Sequence, residues 1–411
     1  MPSRDPALAR QFAVDVVRRL HLAGHQALWA GGCVRDQLLG LVPKDYDVAT
    51  NATPEQIREI FGKRRTLAIG AAFGVITALG PEGAGQIDIV TFRQDAPYSD
   101  GRHPDSVSFA DAEQDAQRRD FTINGLFYDP LHSRVIDYVG GQEDLRQGLV
   151  RAIGDPLARI AEDKLRMLRA VRFAARFDFV IDLPTLAAVQ QQAHELVIVS
   201  AERIAAELRL IFTHRSRARG VELLQEAQLL EIVLPEARLL LEDTAAWERT
   251  LRILAALVQP TFSMALAALL REIPALDHTI HNLPRLVFQR WKLATEEYEG
   301  VAKLLAEEPL ILGASRLPWP RLQRMLIAPR VEELLGYCEA VARGAGISSA
   351  EREVECCRTK LAVPPNELNP PPLITGDDLK AAGIPPGPEY RELLEAVRDA
   401  QLIRQIATHQ Q

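Results

Sequence analysis

Strand-like patterning fills roughly the first 150 residues of this chain and nearly vanishes after Pro156. That change constrains the fold most, because apolar period and breaker placement decide which elements can form. Before it, Ala27–Ala30, 44–49, Val75–Leu79, Ile87–Phe92 and 134–139 read as strands, and 6–22 and 111–127 as helices. Thr53-Pro54-Glu55-Gln56 supplies an N-cap, a first-turn proline and a capping-box glutamine. After it, helical spacing covers 158–177, 184–196, 201–213, 220–230, 245–258, 262–272, 295–306 and 320–343. Proline pairs and triplets at 364–365, 370–372 and 385–386 then cut the tail into short helices and turns. The expected class is α+β: a head at 1–150 with a small mixed sheet, then all-α segments at 151–219, 220–345 and 346–411.

Bulk properties exclude several alternatives. A length of 411 residues allows two to four domains at roughly 100–200 residues each. No apolar run approaches the ~20 residues of a bilayer span, and MPSRDPALARQF lacks the apolar core of a secretory signal. The cysteines, Cys33, Cys338, Cys356 and Cys357, have no metal-ligand spacing, so a reduced, cytoplasmic setting is expected. A net charge of −7 argues against a globally basic nucleic-acid binder. Residues 151–220 nevertheless carry 12 Lys or Arg against 8 Asp or Glu, a local surplus of four positive charges.

The chemistry-bearing residues begin with Asp45-Tyr46-Asp47. On a strand, positions i and i+2 share a face, so both carboxylates converge. Two hard oxygen ligands suit Mg²⁺, which keeps waters and substrate phosphates as its other ligands. Val48 and Ala49 exclude a calcium loop. Asp88, opening a further strand, would complete a two-metal phosphoryl-transfer site. Gly31-Gly32 followed by Arg35 lets backbone and a guanidinium approach a phosphate. In Arg118-Arg119-Asp120, Arg119 is placed to hold a triphosphate and Asp120 to accept a ribose hydroxyl. Taken singly, each of these also reads as a plain turn or a solvated face.

Asp163, Arg166, Arg169, Arg172 and Arg176 recur every three or four residues, one stripe of a helix. A salt-bridged solvated face is the bland reading. The chemical one is base recognition without a template. A carboxylate accepts from the exocyclic amine of cytosine or adenine, and a guanidinium donates to the ring acceptor beside it. Guanine and uracil present a carbonyl there and would leave the Asp163 acceptor unpaired. Arg169 and Arg172 would extend along the phosphates or the primer. Arg176, with Arg215, Arg217 and Arg219 of the run 214–219, would meet an RNA backbone.

Together and in order, ALWAGGCVRDQLLG, KDYDVAT, IDIVTFR, RRDFTINGLFYD, EDKLRMLRAVRFAARF and SAERIAAELRLIF resemble the class II tRNA nucleotidyltransferase and bacterial poly(A) polymerase family. LITGDDLKAAGIPPGPEYRELLEAV resembles the tail of its tRNA enzymes. The resemblance implies a polymerase-beta-like nucleotidyltransferase head with helical neck, body and tail, the tail binding tRNA. It implies catalytic magnesium on Asp45 and Asp47, with Asp88 where a carboxylate is usual. It implies nucleotide contacts from Gly32, Arg35, Arg119, Asp163, Arg166, Arg169 and Arg172. The expected substrates are CTP, ATP and the tRNA 3′ end.

The stretch from Thr91 to Phe121 resembles the full-length flexible loop of CCA- and A-adding enzymes, which argues against addition of CC alone. Addition of A alone and poly(A) synthesis stay open, although the ending RQIATHQQ is not the basic extension common among the poly(A) enzymes. A non-catalytic RNA binder would not require Asp45, Asp47, Asp163 and Arg166, and a small-molecule nucleotidyltransferase would not require the helical stripe. Nothing in the sequence identifies a protein partner.

Overall fold

A computed structural model of the chain describes residues 5–95, 107–273, 282–385 and 387–408. The chain forms two compact units, Met1–Ile211 with Arg219–Pro235, and Phe212–Ala218 with Glu236–Gln411. Among the described residues no helix is long and apolar enough to cross a membrane.

The first unit holds the strands β1 (Ala27–Ala30), β2 (Asp47–Thr50), β3 (Thr66–Leu67), β4 (Val75–Leu79), β5 (Gln86–Thr91), β6 (Arg93–Asp95), β7 (Val107–Phe109), β8 (Phe127–Asp129) and β9 (Arg134–Ile136). Seven build one mixed sheet in the order β3-β4-β5-β2-β1-β8-β9, and β6 pairs with β7 as a separate hairpin. Only the β2–β5 pairing is parallel within that sheet. Ile87 and Ile89 of β5 are fully buried while the alternate residues Asp88 and Val90 are partly open, the alternation of a strand with one covered face. Covering that face, α1 (Pro6–Leu22) buries Ala13, Val16, Val17 and Leu20, and the Trp29 indole N–H donates to the Ala13 carbonyl at 3.2 Å. The capping box read at Thr53 is formed and starts α3 (Pro54–Phe61).

Three expected elements come out differently. The strand at 44–49 begins only at Asp47, so Asp45 lies ahead of it. The helix at 111–127 stops at Gln117 as α4 (Ala112–Gln117), and a short 3-10 turn leads into β8. Phe121, Ile123, Leu126 and Phe127 are all buried there, and no single helical stripe can bury that set. After α5 (Gly141–Gln147), the helix at 158–177 is broken into α6 (Pro156–Glu162) and α7 (Arg166–Phe177), with α8 (Leu183–Gln192) following.

The second unit, where described, is helical, including Thr244–Ala256, Phe262–Leu270, Thr295–Ile311, Trp319–Leu326 and Val331–Gly344. The single helix read at 320–343 is interrupted, because Pro329 cannot continue the ladder and Arg330 adopts φ +64°. Inside this unit Arg271 bridges Glu308 and Glu272, and the Tyr337 hydroxyl donates to Glu308 at 3.1 Å.

Candidate active site

Asp47 and Asp88 face each other across the parallel β2–β5 pair in direct register. Neighbouring strands lie about 4.8 Å apart, so the two carboxylates are immediate neighbours. Thr77 of β4 flanks Asp88 on its other side, and its hydroxyl donates to Asp88 Oδ1 at 2.6 Å. Asp47 opens toward solvent at the mouth of a cleft, but protein atoms crowd its remaining sides. That crowding, reinforced by the charges of Asp88 and Asp45 and opposed by Arg119, pushes its pKa up to about 6. The cleft has a volume of about 260 Å³ and is lined by Asp47, Val75, Val90, Arg93, Arg118 and Arg119 among others.

Crowded like charges of this kind are relieved by a divalent cation. Among the described residues no three His, Cys, Asp or Glu side chains gather into a ready-made metal cage. The donor set fits magnesium better than zinc, since magnesium takes one or two carboxylates and completes its shell with water and phosphate oxygens.

Gly31 links β1 to α2 (Gly32–Leu38) with φ +71° and ψ −125°, a conformation open essentially to glycine alone. A Cβ there would stand 2.8 Å from Arg119 Nη1, so the turn also makes room for that guanidinium. Buried Asp115, which the sequence reading missed, orients both Arg118 and Arg119. It accepts from Arg118 Nη2 at 2.7 Å and from Arg119 Nη2 at 2.8 Å. Its spacing of three and four residues before them, in the stretch 111–127 that the sequence reads as one helix, was the available signal. Burial pushes the Asp115 carboxyl up, but the two arginines outweigh it and hold it below the usual range.

Two expected nucleotide contacts are occupied otherwise. Arg35 is buried; it bonds Asp36 through Nε at 2.9 Å, donates to Asn124 Oδ1, and lies over Phe177 at 4.6 Å. Asp120 is also buried, with Oδ1 taken by the Phe121 amide at 2.8 Å and Asn124 Nδ2 at 3.0 Å, and Oδ2 by Arg169 Nε at 2.8 Å. Burial alone would raise its pKa; Arg169 and Asn124 reverse that and drive it far below the carboxylate range. In this conformation Arg35 and Asp120 therefore brace the site from within. Gly-Gly spacing and charge clustering do not reveal which way a side chain turns.

The break between α6 and α7 sets the remaining candidates. Asp163 sits in it with extended backbone, outside the helical stripe in which the sequence placed it. Its Oδ1 accepts from the Leu165 amide at 3.1 Å and its Oδ2 from Arg203 Nη2 at 2.8 Å. Arg166 begins α7 and donates to the Arg159 carbonyl at 2.7 Å and to Glu162. One face of α9 (Ala201–Phe212) carries Arg203 and, four residues on, buried Glu207, which pairs with Arg172 at 3.1 Å and lies 3.9 Å from Arg169. Burial raises the Glu207 pKa against the pull of both arginines. No local pattern could pair α9 with α7, so Arg203 and Glu207 were invisible in the sequence.

Of the expected RNA-facing arginines, Arg215 is exposed, while Arg219 pairs loosely with Glu222 and Glu226, each at 3.4 Å. Arg176 lies over Phe177 and 3.4 Å from Asp36. Arg217 is not on the surface at all. It is buried within the second unit, and its Nη1 donates to the carbonyls of Leu254 and Leu257 at 2.7 and 2.9 Å. Two helix-end carbonyls need donors, and a buried guanidinium supplies them.

Residues 27–151 match the family model described as the Poly A polymerase head domain, and 178–240 match that of the probable RNA and SrmB-binding site of polymerase A. Head, paired carboxylates and arginine-lined cleft together define a polymerase-type nucleotidyltransferase. A CCA-adding enzyme of Lacticaseibacillus paracasei is 30% identical over 390 residues, 94% of this chain and 90% of that one. The chain thus belongs to the CCA-adding enzyme family. Its matches to several other curated CCA-adding enzymes reach 40% identity but span only about half, 51–53%, of those proteins. Poly(A) polymerase I of Haemophilus influenzae is 37% identical over 54% of this chain and 51% of its own length. The crystal structure of the Bacillus stearothermophilus CCA-adding enzyme in complex with CTP superposes with a TM-score of 0.76 at 28% identity, covering 98% of this chain and 95% of that one.

Proposed function

We propose that this chain adds C and A from CTP and ATP to the tRNA 3′ end, releasing pyrophosphate, in the cytoplasm. The observation that carries the reading is the Asp47–Asp88 pair beside Arg119, in a unit that also holds Asp163 and buried Arg166 at a helix break.

Asp45 and Asp47 would hold magnesium, with Asp88 next to them. Bound there, the ion neutralises charge on the phosphates and favours the ionised 3′-hydroxyl. Arg119, fixed by Asp115, faces the triphosphate from the cleft wall. Asp163 accepts the base amine and Arg166 donates to the ring acceptor. A carboxylate offers about four lone-pair sites and a guanidinium five N–H donors, so both keep capacity beyond their present bonds. Arg169 and Arg172 stand behind them, held by Asp120 and Glu207. The working division is a catalytic head at 1–150, a nucleotide-selecting neck at 151–219, a body at 220–345 and an RNA-binding tail at 346–411.

The half-length match to a poly(A) polymerase keeps a second product in play. Labelled CTP and ATP, separately and together, on tRNAs ending before C, CC and CCA decide between them. Two C then one A, with termination, is the expected result. Addition of A only to tRNA ending in CC makes this the A-adding member of a split system, and long adenylate tails on any RNA overturn the tRNA reading.

A further inference from the structure

Phenylalanine in this protein is mostly interior, and among the described residues the two most exposed are Phe109 at 58% and Phe73 at 44%. Both adjoin one side chain of the cleft. Phe109 stands directly opposite Arg93 in the β6–β7 ladder, so their side chains share a face of the hairpin. Arg93 lines the cleft with Asp47, and its Nη1 donates to the Phe73 carbonyl. Phe73 ends the turn that leads through Gly74 into Val75, itself a cleft residue. Two exposed aromatics, one sharing a hairpin face with Arg93 and one on the turn whose carbonyl Arg93 holds, supply the composition of a single-strand stacking platform.

The chemistry of sequential addition narrows what would stack there, and this step rests on the function proposed above. The incoming base has its hydrogen-bond readers in Asp163 and Arg166. The terminal base of the acceptor changes with each addition, so its seat cannot depend on one hydrogen-bonding edge. Stacking tolerates that change because every base has a π-face. We propose that Phe73 and Phe109, adjoining Arg93, form the platform that seats the unpaired 3′-terminal bases of the acceptor RNA beside the carboxylate pair.

The test uses the full-length protein with Phe73→Ala, Phe109→Ala and Phe109→Trp, and a fluorescein-labelled tRNA ending in CC. Each alanine variant is expected to weaken RNA binding and raise the RNA KM by about 5- to 100-fold, the loss of one base stack. The KM for ATP stays within about two-fold of wild type, and tryptophan restores RNA affinity. RNA Kd unchanged in both alanine variants overturns the platform, as does an ATP KM that rises in step with that for RNA. Because Kd is read without catalysis, failure of the wild type to incorporate nucleotides would sink the proposed function and leave this result interpretable.

Discussion

Asp47 carries the sharpest electrostatic conflict in the head. Its folded pKa, about 6, lies above the ordinary 3.8 of an aspartate. Between those values the folded state binds more protons than the unfolded one, so stability falls as pH rises through that window. Asp47→Asn removes the conflict: the metal-free protein should melt a few degrees higher by calorimetry while nucleotide incorporation falls at least about a hundred-fold. Protons and metal compete for the same carboxylate. The magnesium concentration giving half-maximal rate should therefore rise up to about ten-fold per pH unit below 6, and a flat requirement down to pH 5 would contradict this. At Gly31 the constraint is steric. Gly31→Ala must leave its positive-φ conformation or push Arg119 aside, costing about 1–3 kcal/mol of stability along with triphosphate affinity.

Among elements, the α6–α7 break would, on the proposed function, separate recognition from support. Asp163 belongs to the break and faces Arg203, whereas Asp120 belongs to the interior and holds Arg169. Asp163→Ala should cut the preference for CTP over UTP by about 10- to 100-fold, measured as a ratio that is independent of the active fraction. Asp120→Ala should behave differently. It strands a guanidinium and the Asn124 amide, costing about 3–5 kcal/mol, while the ratio of CTP to dCTP use stays at the wild-type value. A change in that ratio would return Asp120 to the ribose.

For the whole molecule, the run 214–219 shows why charge counting needs burial. Arg217 closes two carbonyls inside the second unit, so Arg217→Ala should lower stability by about 2–4 kcal/mol in thermal melts. Exposed Arg215→Ala should stay within about 0.5 kcal/mol and be read in RNA affinity instead. The sequence by itself determined the α+β head, the helical remainder and the residue types of the site. Period, capping boxes and the spacing of Asp45, Asp47, Asp163 and Arg166 are local properties that survive without coordinates. The tertiary structure alone decided that Asp88 is the register partner of Asp47, that Arg35 and Asp120 turn inward, that Glu207 faces α7 and that Arg203 faces the break before it. Those outcomes depend on strand register and on contacts between residues some 35 to 90 positions apart, which are fixed by packing the chain and leave no mark in any local pattern.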